Sequence, residues 1–492
     1  MRSLVLLSFF VICTVYVYGQ KKEKRKIPNV IFIYVDDLGY GDLSCYGAKE
    51  ILTPHTDELA ENGIRFTRGH STSATCTPSR FALMTGQYPW KQTGRNILPG
   101  DAPLIVPTDQ LTLPKVFKQA GYQTGIVGKW HLGLGDKTTK DWNSDIKPGP
   151  NEVGFDYSFI FPATADRVPT VFMENHRIIG LDPNDPIEVD YRKKVGQDPT
   201  GKEHPELLKL QSSVGHNHTI VNGIGRIGYM SGGKQARWTD EELAPTFLSK
   251  AQDFIKSNKN NPFFLYFALH DIHVPRMPAT MFKGKSKLGY RGDAILEMDW
   301  VVGKIREQLK ELDLDQNTMI IFSSDNGPVL DDGYADRAVE LNGQHKPAGP
   351  LRGWKTDVYE GGTRVPFIIS WPAVIKPAVS HALISQMDFV ASFAKLFNQS
   401  IPDGEATDSE DILEALLGKS AKGRSMLVQE GYHNLAIVKD NWKYIPPFKE
   451  QSAQLFDLNN DISEKINMVS KYPQKVNELD LLLKDLQSNS LN

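Results

Sequence analysis

Cysteine is nearly missing from this chain. It has three in 492 residues, and Cys13 falls inside an apolar N-terminal run, leaving only Cys45 and Cys76. So few thiols cannot supply a disulfide framework. A Cys45–Cys76 disulfide and two buried thiols are the simple readings. An excess of charge of one sign is also missing. Lys and Arg total 56 against 59 Asp and Glu, a formal net charge of −3. That balance points away from nucleic acid and from an anionic membrane surface, so a polyanionic substrate has to be met by local basic residues. No segment beyond the N-terminus is long and apolar enough to span a bilayer, which takes about 20 residues. Internal repeats and low-complexity tracts are absent.

What is present begins with Arg2 and the apolar run Leu4 to Val17, with Gly19 as a small residue before a cut. Residues 1–19 read as a secretory signal peptide, predicting a secreted or periplasmic protein. Lys21, Lys22, Lys24, Arg25 and Lys26 follow at once, which is the flank of an uncleaved anchor. The remaining length exceeds what one hydrophobic core usually serves. A large catalytic domain over 27–402 and a small C-terminal domain over 403–492 are expected.

Short continuous apolar runs at Val30–Val35, Gly125–Val127, Phe263–Leu269, Met319–Phe322 and Phe367–Trp371 read as buried strands. Helical patterns at Leu113–Ala120, Asp240–Ser257 and Ala294–Leu312 lie between them. This alternation predicts an α/β fold, a mostly parallel sheet flanked by helices. Four of these runs lead into polar residues: Asp36-Asp37, Lys129-Trp130-His131, His270-Asp271-Ile272-His273, and Ser323-Ser324-Asp325-Asn326. Ligands of open α/β sheets bind beyond the carboxyl ends of the strands. A single Asp or Asn after a strand is usually a turn or cap, but four such ends point to one shared site. Past Phe397 the pattern changes to short strands at Ser425–Val428, Leu435–Val438 and Trp442–Ile445, then an amphipathic helix over Pro473–Leu486. That predicts a small antiparallel α+β unit.

In Thr75-Cys76-Thr77-Pro78-Ser79-Arg80, Pro78 suits the first turn of a helix with Thr77 as its N-cap. Cys76 then lies at the positive end of that helix, with Arg80 about one turn on. This is an anion site containing a soft nucleophile. On its own it permits a cysteine phosphatase or a structural thiol.

The segment Cys76-Thr77-Pro78-Ser79-Arg80, continuing to Thr85-Gly86, resembles the first signature of the formylglycine-dependent (type I) sulfatases. Gly121 to Gly133, containing Gly128-Lys129-Trp130-His131, resembles the second signature. Asp36-Asp37-Leu38-Gly39 and Ser324-Asp325-Asn326-Gly327 are similar to the family's metal motifs. Gly353-Trp354-Lys355 with Tyr359-Glu360-Gly361-Gly362 is similar to its lysine segment. The resemblance implies an alkaline-phosphatase-like fold, with a mixed, mostly parallel central sheet flanked by helices, and a sulfuric ester hydrolase. It implies that a separate maturation enzyme oxidises Cys76 to formylglycine, which argues against a Cys45–Cys76 disulfide. It also implies one Ca2+ held by Asp36, Asp37, Asp325, Asn326 and residue 76, all hard oxygen donors once the aldehyde is hydrated. Arg80, Lys129 and Lys355 would bind the sulfate. His273 would protonate the leaving alcohol, leaving sulfate on residue 76, and His131 would act as the base that releases it.

Substrate readings rest on softer signals. The polar, Gly-containing segments 156–176 and 214–234 read as substrate-shaping loops. In them Arg167 and His218 are candidates for sugar hydroxyls or neighbouring sulfates, with an internal salt bridge as the alternative for Arg167. These segments resemble those of polysaccharide sulfatases, especially ones acting on galactose-type sugars sulfated at O4. His270 could contact substrate or merely stack behind His273. Asn217-His218-Thr219 and Asn398-Gln399-Ser400 are glycosylation sequons, relevant only in a eukaryotic secretory pathway. A phosphate mono- or diester hydrolase of the same superfold and a catalytically silent sulfated-glycan binder are the rival readings.

Overall fold

The computed structural model describes residues 27–92, 96–137 and 140–488. The expected signal segment 1–19 lies outside them. The strand Asn29–Val35 is buried along its whole length. It sits at the centre of a ten-stranded sheet whose spatial order is Ala378–Ser385, Ile64–His70, Phe367–Ser370, Thr318–Ser324, Asn29–Val35, Phe263–Ala268, Gln123–Lys129, Tyr157–Phe161, Met173–Glu174 and Arg177–Ile178. The five strands from Thr318–Ser324 to Tyr157–Phe161 are parallel.

Successive side chains of a strand point to opposite faces, and the central strand shows how both faces are covered. Val30, Phe32 and Tyr34 join a core with Phe81, Met84, Phe117, Phe389 and Phe393, from the helices Cys76–Thr85, Leu113–Gln119 and Phe389–Leu396. Ile31, Ile33 and Val35 join another with Phe247, Ala251, Ile295, Met298 and Val302, from the helices Leu243–Ser257 and Gly289–Glu311. Burying each such side chain contributes roughly 1.5–3 kcal/mol. This is the mostly parallel, alkaline-phosphatase-like α/β arrangement expected from the sequence.

Phe367–Ser370 is a strand as expected, and by running antiparallel to both its neighbours it makes the mostly parallel sheet a mixed one. One feature differs in detail from the sequence reading. The helix at Cys76 begins two residues earlier than Pro78 suggested: Cys76 is its first residue and extended Thr75 precedes it, making no side-chain cap. Thr77 Oγ1 instead accepts from Leu98 N (3.3 Å) and donates to the His131 carbonyl (3.2 Å). Ala406, Ile412, Leu413 and Leu416 pack into the large sheet's core.

Near the C-terminus, Met426–Glu430, Leu435–Lys439, Trp442–Ile445 and Gln454–Asp457 form an antiparallel meander. The helix Pro473–Ser488 covers it with Leu479 and Leu483. Several polar links dock this sheet on the main body. Buried Glu360 accepts from Lys443 (3.1 Å) and Gln429 (3.0 Å), and Lys443 also pairs with Glu464 (2.9 Å). Ala74 N donates to Glu430 O (2.7 Å), just ahead of Cys76.

Candidate active site

Register explains why the polar strand ends meet. Asn29–Val35 pairs with Thr318–Ser324 so that Val35 faces Ser324. Asp36-Asp37 and Asp325-Asn326 therefore leave the sheet side by side. The neighbouring strands Phe263–Ala268 and Gln123–Lys129 bring His270, His273, Lys129 and His131 to the same edge. The first turn of the helix Cys76–Thr85 closes the site from above that edge, and the segment 353–362 supplies Lys355.

The centre is a buried cluster of alternating charges. Asp36, Asp37, Asp325, Asn326, Arg80, Lys129 and His131 have no solvent exposure. Asp325 Oδ2 accepts from Arg80 Nε (3.1 Å) and Nη2 (2.8 Å), while Arg80 Nη1 donates to the Tyr266 hydroxyl (3.2 Å). Asp36 Oδ2 accepts a short contact from Lys129 Nζ. Asp37 accepts from Asn326 Nδ2 (2.7 Å) and Lys355 Nζ (2.9 Å). Lys355 Nζ also donates to Asp332 Oδ2 at 2.8 Å.

Three carboxylates so close should repel, and the titration of Asp36 registers this. Burial, then the charge of Asp325, pushes its pKa well above the ordinary carboxylate range. For Asp37 burial acts in the same direction, but Lys355, Lys129 and the Asn326 amide outweigh it and hold the pKa below normal. Two oxygens in this cluster, Asp36 Oδ1 and Asn326 Oδ1, are buried without a hydrogen-bond partner. Asp36, Asp37 and Asp325 each present an oxygen within 4.8 Å of the others. Hard carboxylate and amide oxygens, two of them unsatisfied, suit a calcium ion and not a soft or imidazole-seeking metal.

Cys76 is a buried free thiol facing this cluster, and Cys45 is likewise free. Burial raises the Cys76 pKa; Lys129 and Lys355 oppose it without reversing it. The thiolate that the helix-end argument favoured is therefore disfavoured, because desolvation outweighs the nearby ammonium groups.

The two candidate proton-transfer histidines are held in defined tautomers. His131 Nε2 lies 2.9 Å from the Leu98 carbonyl, so it carries the proton and leaves a bare Nδ1. That Nδ1 has no partner. Burial, with Lys129 and Arg167, keeps the ring neutral, a proton acceptor at physiological pH. His273 Nδ1 donates to the Val274 carbonyl (2.7 Å), turning Nε2 toward Asp37 (3.8 Å) and Asp332 (3.9 Å). Burial, then Lys355 and Lys129, lowers its pKa well below normal, against Asp166 and Asp332. His270 makes a 3.4 Å contact with the Pro275 carbonyl, its ring 6.1 Å from that of His273.

Of the two substrate candidates, Arg167 reaches this neighbourhood and His218 is engaged elsewhere. Arg167 Nη1 lies 2.9 Å from both Asp166 oxygens and is among the electrostatic partners of Cys76 and His131. His218 accepts from Gly228 N (2.9 Å) and stacks on Tyr229 at 4.3 Å. His216, two residues earlier, makes the 3.0 Å contact to Asp166 and packs on Tyr334. Asp166, His216 and Asp332 were not singled out from the sequence. Asp332 belongs to an Asp-Asp-Gly turn that looks like any surface turn, and nothing local separates His216 from His218.

Comparison with known proteins agrees with this geometry. A family model described as Sulfatase matches residues 28–399. An N-acetylgalactosamine-6-O-sulfatase of Bacteroides thetaiotaomicron is 51% identical over 485 residues, covering 96% of this chain and 94% of that protein. Human steryl-sulfatase is 32% identical over 433 residues, covering 83% of this chain and 72% of its own length. A solved Bacteroides thetaiotaomicron structure, described under the metabolism of multiple glycosaminoglycans, superposes with a TM-score of 0.92 at 51% identity. That match covers 94% of this chain and 99% of the other.

Proposed function

This chain belongs to the sulfatase family, a sulfuric ester hydrolase acting on sulfated glycans, and on that premise we propose that it removes a 6-O-sulfate from an N-acetylgalactosamine-type sugar. The galactose-type expectation is kept, and the sulfate is placed at O6 in preference to O4. Support comes from the 51% identity to a protein with that named activity over nearly the whole of both chains. The observation that carries the chemistry is the buried cluster itself. Three carboxylates and Asn326 face three cations around the first residue of a helix, with Asp36 Oδ1 and Asn326 Oδ1 left for a ligand.

In this reading Cys76 is oxidised to formylglycine by a separate maturation enzyme. The hydrated aldehyde supplies two hydroxyls on one carbon, one to attack sulfur and one whose loss of a proton expels sulfate. Asp36, Asp37, Asp325 and Asn326 would hold Ca2+, which when bound would acidify the attacking hydroxyl and offset carboxylate–sulfate repulsion. Arg80, Lys129 and Lys355 bind the sulfate oxygens and stabilise charge gathering there. His273 Nε2 gives a proton to the departing sugar oxygen as the sulfur–oxygen bond breaks; the bound sulfate, an added negative charge, raises its pKa toward that task. His131 Nδ1, bare and unpartnered, takes the proton of the second hydroxyl. Arg167, with Asp166 and His216, lines the sugar side, and His218 serves as support for that loop. Export through the N-terminal segment matches an extracellular or periplasmic glycan.

The test is sulfate release from a panel of galactose and N-acetylgalactosamine monosulfates. Release from the O6 ester of N-acetylgalactosamine is expected to exceed that from the O4 ester. Preference for O4, or hydrolysis of phosphate esters alone, would reject the assignment.

A further inference from the structure

Next to Lys355 lies a cleft of about 370 Å³, between residues 356–359 of the main body and the C-terminal meander with its loops. Its walls are continuous with catalytic backbone. Ile97 precedes Leu98, whose carbonyl fixes His131. Thr356 follows Lys355 and donates from its N–H to Ala74 O (2.8 Å), two residues before Cys76. Tyr432 N in turn donates to Thr356 O (2.8 Å), which pins the C-terminal wall to the lysine segment. Thr356 has φ of +77°. A β-branched residue rarely adopts that conformation, and such strain persists where the surroundings hold it, often at ligand sites.

We propose that this cleft is a second sugar subsite, which takes the unsulfated ring next to the sulfated one in an oligosaccharide. The proposal rests on the sulfated-carbohydrate reading above and deepens it. Its size falls within the roughly 300–1,000 Å³ of small-molecule sites. Its chemistry fits a pyranose, which has an apolar C–H face and a polar edge. Tyr432 is 48% exposed; His433 lies edge-on to it at 4.6 Å and stacks on Phe448 at 6.2 Å and 11°. These rings offer a broad apolar surface with polar tips, and Asn434 and Gln451 add amides that can both donate and accept. Among the described residues no lysine or arginine lines the cleft, although Lys449 Nζ lies 5.3 Å from the centre of the Phe448 ring; the lining carboxylate, Asp357, already accepts from Trp354 N (3.0 Å). The lining itself offers a second sulfate no cation and one carboxylate to repel it, so the ring it holds is an unsulfated one.

The experiment compares sulfate release from an O6-sulfated N-acetylgalactosamine monosaccharide with release from a disaccharide linking that sugar to an unsulfated one. The parent enzyme should favour the disaccharide by roughly ten-fold in kcat/KM, about 1.4 kcal/mol of added binding. Tyr432→Ala and, separately, Phe448→Ala should remove most of that advantage, chiefly through KM. If one variant fails to fold, the other still decides. Equal efficiency of the parent on both sugars overturns the subsite alone, as do variants that lose equally on both. Failure of the parent to release sulfate from either sugar overturns the sulfated-carbohydrate reading, and the subsite with it.

Discussion

Lys355 Nζ lies 2.9 Å from Asp37 Oδ2 and 2.8 Å from Asp332 Oδ2, so one ammonium group joins a fully buried carboxylate to one at the mouth of the site. Burial works to lower the Lys355 pKa, but Asp332 and Asp37 overcome it and hold the group charged. The cluster is therefore a charged lattice assembled around the entry point of an anion, and it gives three predictions.

Chelation is the first. Asp36 Oδ1 and Asn326 Oδ1 are buried and unpartnered, so an ion that satisfies them binds the folded state alone. Stripping divalent metal should abolish sulfate release and lower the Tm; calcium should restore both. At a hundred-fold excess over Kd the ion contributes about 2.7 kcal/mol. Calorimetry with and without chelator checks this, and an unchanged Tm with full activity would count against a calcium site.

Replacing the nucleophile separates chemistry from folding. Cys76→Ala should lower turnover by on the order of a thousand-fold or more while circular dichroism and Tm stay close to the parent. Retained turnover would mean that another group attacks sulfur.

His273 is tested through its leaving group. His273→Ala should reduce release from sugar sulfates by roughly 10²–10⁴-fold, and from activated aryl sulfates much less, because a phenolate departs without a proton. Paired kcat measurements on the two ester types decide it; equal losses would remove His273 from the role of acid.

Much of this site was legible in the sequence because buried parallel strands advertise themselves. The runs ending at Val35, Val127, Leu269 and Phe322 are apolar on both faces, so their polar successors had to emerge at one edge. Ile64–His70 escaped notice because Arg65, Thr67 and Arg68 interrupt its apolar pattern, and it is only partly buried. The direction of Phe367–Ser370 depends on its neighbours, not on its own residues. Pro78 misplaced the helix start by two positions, since proline is tolerated anywhere in the first turn and not only at its first residue. Asp332 and the His216–Asp166 contact arise from the packing of loops distant in sequence, which no local pattern encodes. The fourth C-terminal strand, Gln454–Asp457, has only the apolar pair Leu455-Phe456 between polar residues and does not stand out.

The fourth prediction concerns pH and lies outside the catalytic cluster. Burial pushes the Glu430 carboxyl up from 4.5 to about 8. Between those values the unfolded chain is ionised while the folded one keeps its proton. Stability from this group is thus full below pH 4.5 and lost as pH rises through about 8. The slope is at most about 1.4 kcal/mol per pH unit. Glu430→Gln should therefore gain Tm relative to the parent as pH rises through that window, read from thermal melts across it. Parallel Tm curves for the two proteins would show that Glu430 does not titrate this way.

The central claim is that residue 76 acts as an oxidised, hydrated aldehyde, not as a thiol. Peptide mass spectrometry of the segment containing Cys76, from protein produced in its native host and shown to release sulfate, addresses it directly. The account predicts the mass of formylglycine at position 76. An unmodified thiol throughout a fully active preparation would contradict it.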